Sequence, residues 1–229
     1  MADFDSADLL SRFRGLIRIG TNTADSSDAE LYGLLSNAQH RLIQILAAHC
    51  PWTQVTAPTA LTSTDSGVTY TFGSGVYPLG HLELYNGVDG PRLLPLGYGD
   101  NLWDGYVLEG ATIRFPGNRA RTFANGLYAR YIAVPSAISA SVEPTLKPSY
   151  ARQGIVYDAA SEWSHQGGAV DPAPYDAMLQ KFLWGDPRMP GDVGLLGALK
   201  TQANHRGIAA GRGLGGAWWR GGDFLTGPT

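Results

Sequence analysis

One cysteine, Cys50, among 229 residues excludes an internal disulfide and any cysteine-rich zinc site. It follows an apolar helical stretch and precedes Pro51, so a packed thiol is expected there. No run approaches the roughly 20 apolar residues that cross a bilayer. Met1–Asp8 carries three acids and no base, which does not read as a secretory signal, and synthesis in a cytoplasm is expected. Charge is also scarce: a net of −3 is too small to make nucleic acid or membrane the main partner. That mean hides an asymmetry. From Lys200 onward there are four bases (Lys200, Arg206, Arg212, Arg220) and one acid (Asp223), a net of +3, so the preceding residues carry −6.

Catalytic and metal signatures are missing as well. The five histidines (His40, His49, His81, His165, His205) include no pair at the i, i+4 spacing of a helical zinc site, and there is no HExxH, GxSxG, P-loop or EF-hand loop. Gly211–Gly216 matches GxGxxG, but no strand precedes it and only thirteen residues follow, too few for a helix and a ribose-binding acid. No enzyme activity, metal or cofactor is expected.

What the chain has in abundance is glycine (30) and proline (14), which imply many turns and long irregular connections. Around them, the apolar periodicity predicts an α+β protein: mainly a helical bundle with an inserted antiparallel β region and an extended glycine-rich C-terminal arm. The body spans 1–203. Helix 5–19 carries a stripe of Leu9, Leu10, Phe13, Leu16 and Ile17. Helix 27–50 opens on Ser27 with Glu30 three residues later and runs to Pro51, burying Leu31, Leu34, Leu35, Ala38, Leu42, Ile45, Leu46 and His49. The two should form a hairpin.

From 52 to 135 the period shortens to two. Segments Val68–Phe72, His81–Tyr85, Tyr106–Leu108, Thr112–Phe115 and Gly126–Val134 read as strands, with Asn86-Gly87 and Glu109-Gly110 as turns. The region is read as an insertion between helical halves and not as a separate sandwich. Arg114, Arg119, Arg121 and Arg130 lie among Phe115, Phe123 and Tyr128, an interleaving that nucleic-acid platforms use. In an acidic body, with Arg130 alternating on a strand like a solvated face, inter-subunit ion pairs are the better reading.

Helices return at 148–166 (Tyr150, Ile155, Val156, Ala159, Ala160, Trp163) and 172–184, the latter capped by Asp171 and carrying Tyr175, Met178, Leu179 and Phe182. Gly185-Asp186-Pro187 breaks the pattern, and Val193–Gln202 resumes it. The arm, 204–229, has eight glycines in 26 residues and no period, yet holds Trp218, Trp219, Phe224 and Leu225. Burying its two tryptophans and phenylalanine, some 150–250 Å² each at about 25 cal/mol per Å², yields on the order of 12–18 kcal/mol. That is less than the cost of fixing roughly twenty backbone residues at about 1–2 kcal/mol apiece. The arm is therefore expected to order only against partner chains, with Arg212, Trp218, Trp219, Arg220, Phe224 and Leu225 as its binding residues.

Six stretches in order (DLLSRFRGLIRI, SDAELYGLLSNAQHRLIQILAAHCPW, IRFPGN, LYARYIAVP, EPTLKPSYARQGIVYDAASEW and DPAPYDAMLQKFL) make the chain resemble the head–tail adaptor, or connector, proteins of tailed bacteriophages over residues 5–185. The resemblance implies a homo-oligomeric ring, a dodecamer in such assemblies, under the portal at the head–tail junction of the virion. It further implies an arm reaching the portal, tail proteins docked below, DNA passing without sequence-specific binding, and no membrane. The longer β insertion and the break at Trp184–Gly191 depart from smaller members. Other readings are a tail or receptor-binding virion component, or a hydrolase with a non-local site.

Overall fold

The computed structural model describes residues 4–18, 26–63, 65–73, 78–93, 105–115, 120–166 and 171–205. It is a mixed α+β fold in which the β elements lie in sequence between two groups of helices. Helix α1, Ser6–Leu16, is capped by Asp5, whose carboxylate accepts the Asp8 amide at 2.7 Å. It is shorter than predicted, but Leu9, Phe13 and Ile17 are buried as expected. Helix α2, Asp28–His49, begins in the reciprocal cap foreseen from sequence. The Glu30 amide donates to Ser27 Oγ, and the Ser27 amide donates to Glu30 Oε2 at 2.9 Å. Pro51 ends it by opening a 3-10 turn, Pro51–Thr53.

Helix α3, Gln153–His165, is the common neighbour of the helical part, touching α1, α2 and α4 (Ala173–Trp184). A glycine makes this close approach possible. A Cβ on Gly154 would sit 2.7 Å from the Phe182 ring of α4 and 3.2 Å from Leu42 of α2. Arg14 of α1 pairs with Asp28 of α2, so the predicted hairpin carries a polar tie beside its apolar contact. Asp171 accepts the Ala173 amide at 3.0 Å at the start of α4. The segment foreseen from Val193 is helix α5, Gly194–His205, packed on α4 through Leu195, Leu196 and Leu199. Asn204 and His205, assigned to the arm from sequence, belong to its last turn.

Among the described residues, eight strands form two antiparallel sheets: β1 (Thr59–Ala60), β8 (Leu127–Ala133), β4 (Pro78–Asn86) and β5 (Arg92–Leu93) in one, β2 (Thr62–Ser63), β3 (Thr69–Thr71), β7 (Thr112–Arg114) and β6 (Val107–Glu109) in the other. The chain crosses between sheets at Leu61, which is buried. Tyr70, Phe72, Ile113 and Phe115 meet Leu84, Leu127, Ala129 and Tyr131 in a core separate from that of the helices. The reading of this region as strands without a sandwich of their own is thus corrected: the inner faces of two sheets bury each other. Asn86-Gly87 does turn the chain, with Gly87 at φ +90°, but the hairpin closes later, where the Asn86 amide donates to Pro91 O at 3.1 Å.

Strand β8 joins the two cores. Leu127, Ala129 and Tyr131 face the second sheet, while Ile132, on the alternate face, enters the helical core. The connection from Val134 to Pro148 follows without a regular element, yet Ile138 and Leu146 are fully covered. Gln39, wholly buried on α2, donates to Ser136 O at 3.1 Å and accepts from the amides of Thr145 (2.7 Å) and Leu146 (3.3 Å). Ser36, nearly one turn earlier on the helix, accepts the Ile138 amide at 2.9 Å.

Leu42 is 1% exposed at the α2–α3–α4 junction. Leu42→Ala is expected to lower stability by about 2–5 kcal/mol in a urea titration. A loss under about half a kcal/mol would mean that this stripe is not core.

Candidate assembly surfaces

The six residues assigned to partner binding from sequence (Arg212, Trp218, Trp219, Arg220, Phe224, Leu225) lie outside the described residues, as does the GxGxxG match. What the structure fixes is the place from which they leave, the C-terminal end of α5. Beside that end lies an open groove of about 390 Å³ lined by Trp52, Thr53, Lys147, Pro148, Leu199, Gln202 and Ala203.

The opposite end of α5 carries a feature that the sequence showed only as a helix break. The connection Gly185–Val193 is internally bonded. The Asp192 carboxylate accepts the amides of Asp186 (2.7 Å) and Gly194 (3.2 Å), Asp186 accepts the Arg188 amide (2.9 Å), and Lys181 Nζ sits 2.9 Å from Asp186 Oδ2. Gly185, at φ +90°, and Gly194, at φ +59°, approach so closely that neither has room for a Cβ. This well-bonded loop nonetheless presents Met189 (63% exposed) and Val193 (52%) to solvent, and Trp184 (50%) precedes it at the end of α4. The Trp184 ring rests edge-on against His49, with centroids 5.0 Å apart. Large apolar side chains held out on an internally bonded connection make this a candidate interaction surface.

The arginines do not converge on one platform. Arg114 pairs with Glu109 at 3.3 Å, Arg121 lies over the Phe115 ring, and Arg119 is outside the described residues. Arg130 is not the solvated side chain foreseen: its guanidinium lies over Tyr85, 5.3 Å from the centroid, and its Nε is buried. The inter-subunit pairing expected of this set therefore competes with intramolecular partners.

Arg130 borders a buried ionisable cluster on the face of the first sheet that points away from the β core. Glu83, 1% exposed, accepts the Tyr85 hydroxyl at 2.5 Å and pairs with Arg92 at 3.0 Å. Burial, then the Glu83 contact, pushes the Tyr85 phenol up to about 12. His81 lies 3.8 Å from Glu83, too far for a hydrogen bond. Burial and Arg92 outweigh that neighbour and hold the imidazole at about 4. Sequence reasoning missed this cluster because alternation on β4 marks His81, Glu83 and Tyr85 only as sharing a face, which usually means solvent.

Two further polar groups tie helices. Arg41 of α2 reaches Asp158 (2.8 Å) and Glu162 (2.6 Å) of α3, and burial raises the Asp158 carboxyl despite that partner. Ser161 donates to Asp176, which also faces His165 Nε2 at 3.3 Å. This is the nearest approach to a serine–histidine–aspartate set, but the acid stands between the other two, and a nucleophile needs the imidazole beside its hydroxyl. Burial pushes the Cys50 thiol up to about 11, which keeps it a packed thiol as foreseen. Among the described residues no group of three or more His, Cys, Asp or Glu is placed to hold a metal ion, and no helix is long and apolar enough to cross a membrane. No family model matches the chain, and no curated protein matches it.

The buried cluster makes a pH prediction. The unfolded chain protonates His81 near its ordinary value of 6.5, while the folded state resists until about 4. Stability should therefore be intact above about pH 6.5 and fall as pH drops toward 4, by on the order of 3 kcal/mol. Denaturant titrations of wild type and His81→Gln across that window test it. A flatter profile in the variant is expected, and an unchanged slope would contradict the assignment.

Proposed function

We propose that this chain is a structural, non-catalytic subunit of a head–tail adaptor ring in a tailed bacteriophage, joining the portal to the tail and conducting DNA without reading its sequence. One observation carries most weight. A rigid, apolar connection is exposed at one end of α5, while a glycine-rich segment bearing aromatic and basic residues leaves the other end. A protein that works as part of an assembly needs both: preformed surface to receive a partner and chain that becomes ordered on binding. The element order, two helices, a β region and further helices, also agrees with the resemblance over residues 5–185. A body carrying −6 before Lys200 suits a channel through which phosphates must pass without sticking.

A second virion role has its own support. Val107 and Leu108 are about 40% exposed on β6, an edge strand, a surface suited to a tail or receptor-binding component. Binding to purified portal rings separates the two. The adaptor reading expects the full chain to decorate portal rings in negative-stain images. Changing Trp218 and Trp219 together to alanine should weaken that binding at least tenfold with circular dichroism unchanged, because buried aromatic anchors dominate interfaces. Equal binding by wild type and the double variant would remove the arm from this role, and no binding by either would remove the portal.

A further inference from the structure

The exposed patch and the exit of the C-terminal segment lie at opposite ends of one helix. Twelve residues of α5 separate them by about 18 Å. A donor at one end of a protomer and an acceptor at the other can be matched between copies in two ways: reciprocally across a two-fold axis, or head to tail, the arrangement that closes into a ring. The ring proposed above uses the second.

The acceptor is too small to act alone. Half a tryptophan, of about 200 Å² in total, with Met189 and Val193 makes roughly a few hundred Å² of apolar surface. A stable dimer buries about 800 Å² on each partner. Two facing patches would fall short, whereas an aromatic pair brought by an extended chain matches the patch in size and chemistry. The segment 206–229 contains such a pair, Trp218-Trp219, between Arg212 and Arg220. Thirteen residues from Arg206 to Trp218 reach about 43 Å when extended. The radius of gyration of a body this size is about 16 Å, so the pair reaches past its own protomer.

We propose that the Trp184–Met189–Val193 patch is the docking seat for the Trp218-Trp219 pair of a neighbouring copy, so that each protomer gives its arm to one neighbour and receives that of another. Pre-bonding of the acceptor loop spares ordering cost on that side and leaves the arm as the part that must be fixed. The inference rests on reading the C-terminal segment as a docking arm, and it does not depend on a portal being the ring's other partner.

The test uses two full-length variants that each lose one half of the contact. Trp218→Ala with Trp219→Ala removes the donor. Met189→Ser with Val193→Ser removes the acceptor at positions more than half exposed, where folding is least affected. Sedimentation velocity is run from about 1 to 100 μM, with circular dichroism to establish that both variants keep the wild-type fold. Wild type is expected to associate progressively with concentration, and each variant alone to remain monomeric. Their equimolar mixture is expected to form heterodimers and nothing larger, because only one donor–acceptor pair remains per two chains. A wild type monomeric throughout, as docking of the arm on its own body would give, overturns the proposal. So does a mixture that stays monomeric, or a variant that associates like wild type. If the proposal fails while portal binding still depends on Trp218 and Trp219, the adaptor reading stands without it.

Discussion

The buried amide of Gln39 is the contact on which the arrangement of this molecule depends. The chain must return from β8 to α3 through a stretch with no helix or sheet to satisfy its backbone, and it buries Ile138, Pro144 and Leu146 on the way. Every buried N–H and C=O along that path needs a partner. Gln39 supplies three, and Ser36 adds one. With the path fixed, Ile138 and Leu146 pack on the helices, and Ile132 on β8 is drawn into the same core. The two faces of β8 thereby serve two different interiors, and Leu79 of β4 adds a second apolar contact with the helical core.

Polarity elsewhere serves the same fixing. Arg41 spans α2 to α3, and Arg92 with Tyr85 encloses Glu83 between strands. Such pairs gain little net stability over apolar replacements, but removing one partner leaves an expensive buried charge. They hold register more than they add strength. The α4–α5 connection applies that logic at the surface: its carboxylates are turned inward onto backbone amides, and its apolar side chains outward. In the proposed contact a pre-bonded acceptor and a glycine-rich donor divide the work of association, since only one side then has conformational freedom to lose.

The parts legible in the sequence are those decided within a few residues. The Ser27–Glu30 cap, the stop at Pro51 and the break at Gly185-Asp186-Pro187 are local chemistry, and the helices begin and end near them. Strands β1, β2 and β5 have two residues each and exist only through partners such as Ala129, about seventy positions away from Thr59, so no periodicity announces them. Gln39 was invisible because a polar residue in a helix reads as solvated until the chain covering it is known. Arg130 misled in the same way, from a strand. The candidate surface was half legible: the aromatic content of the arm stands out, whereas Met189 and Val193 sit in a stretch whose prolines and glycines mark only an interruption.

The central claim is that the segment after α5 gains its order from partner chains. Hydrogen exchange at the backbone amides from Arg212 to Leu225 tests it most directly, measured in dilute isolated protein and again in the portal-bound assembly. The account expects exchange near the unfolded-chain rate in the dilute protein and slowing by about a hundredfold or more in the assembly. Strong protection already present in the dilute monomer would contradict it, since the segment would then belong to its own protomer's core.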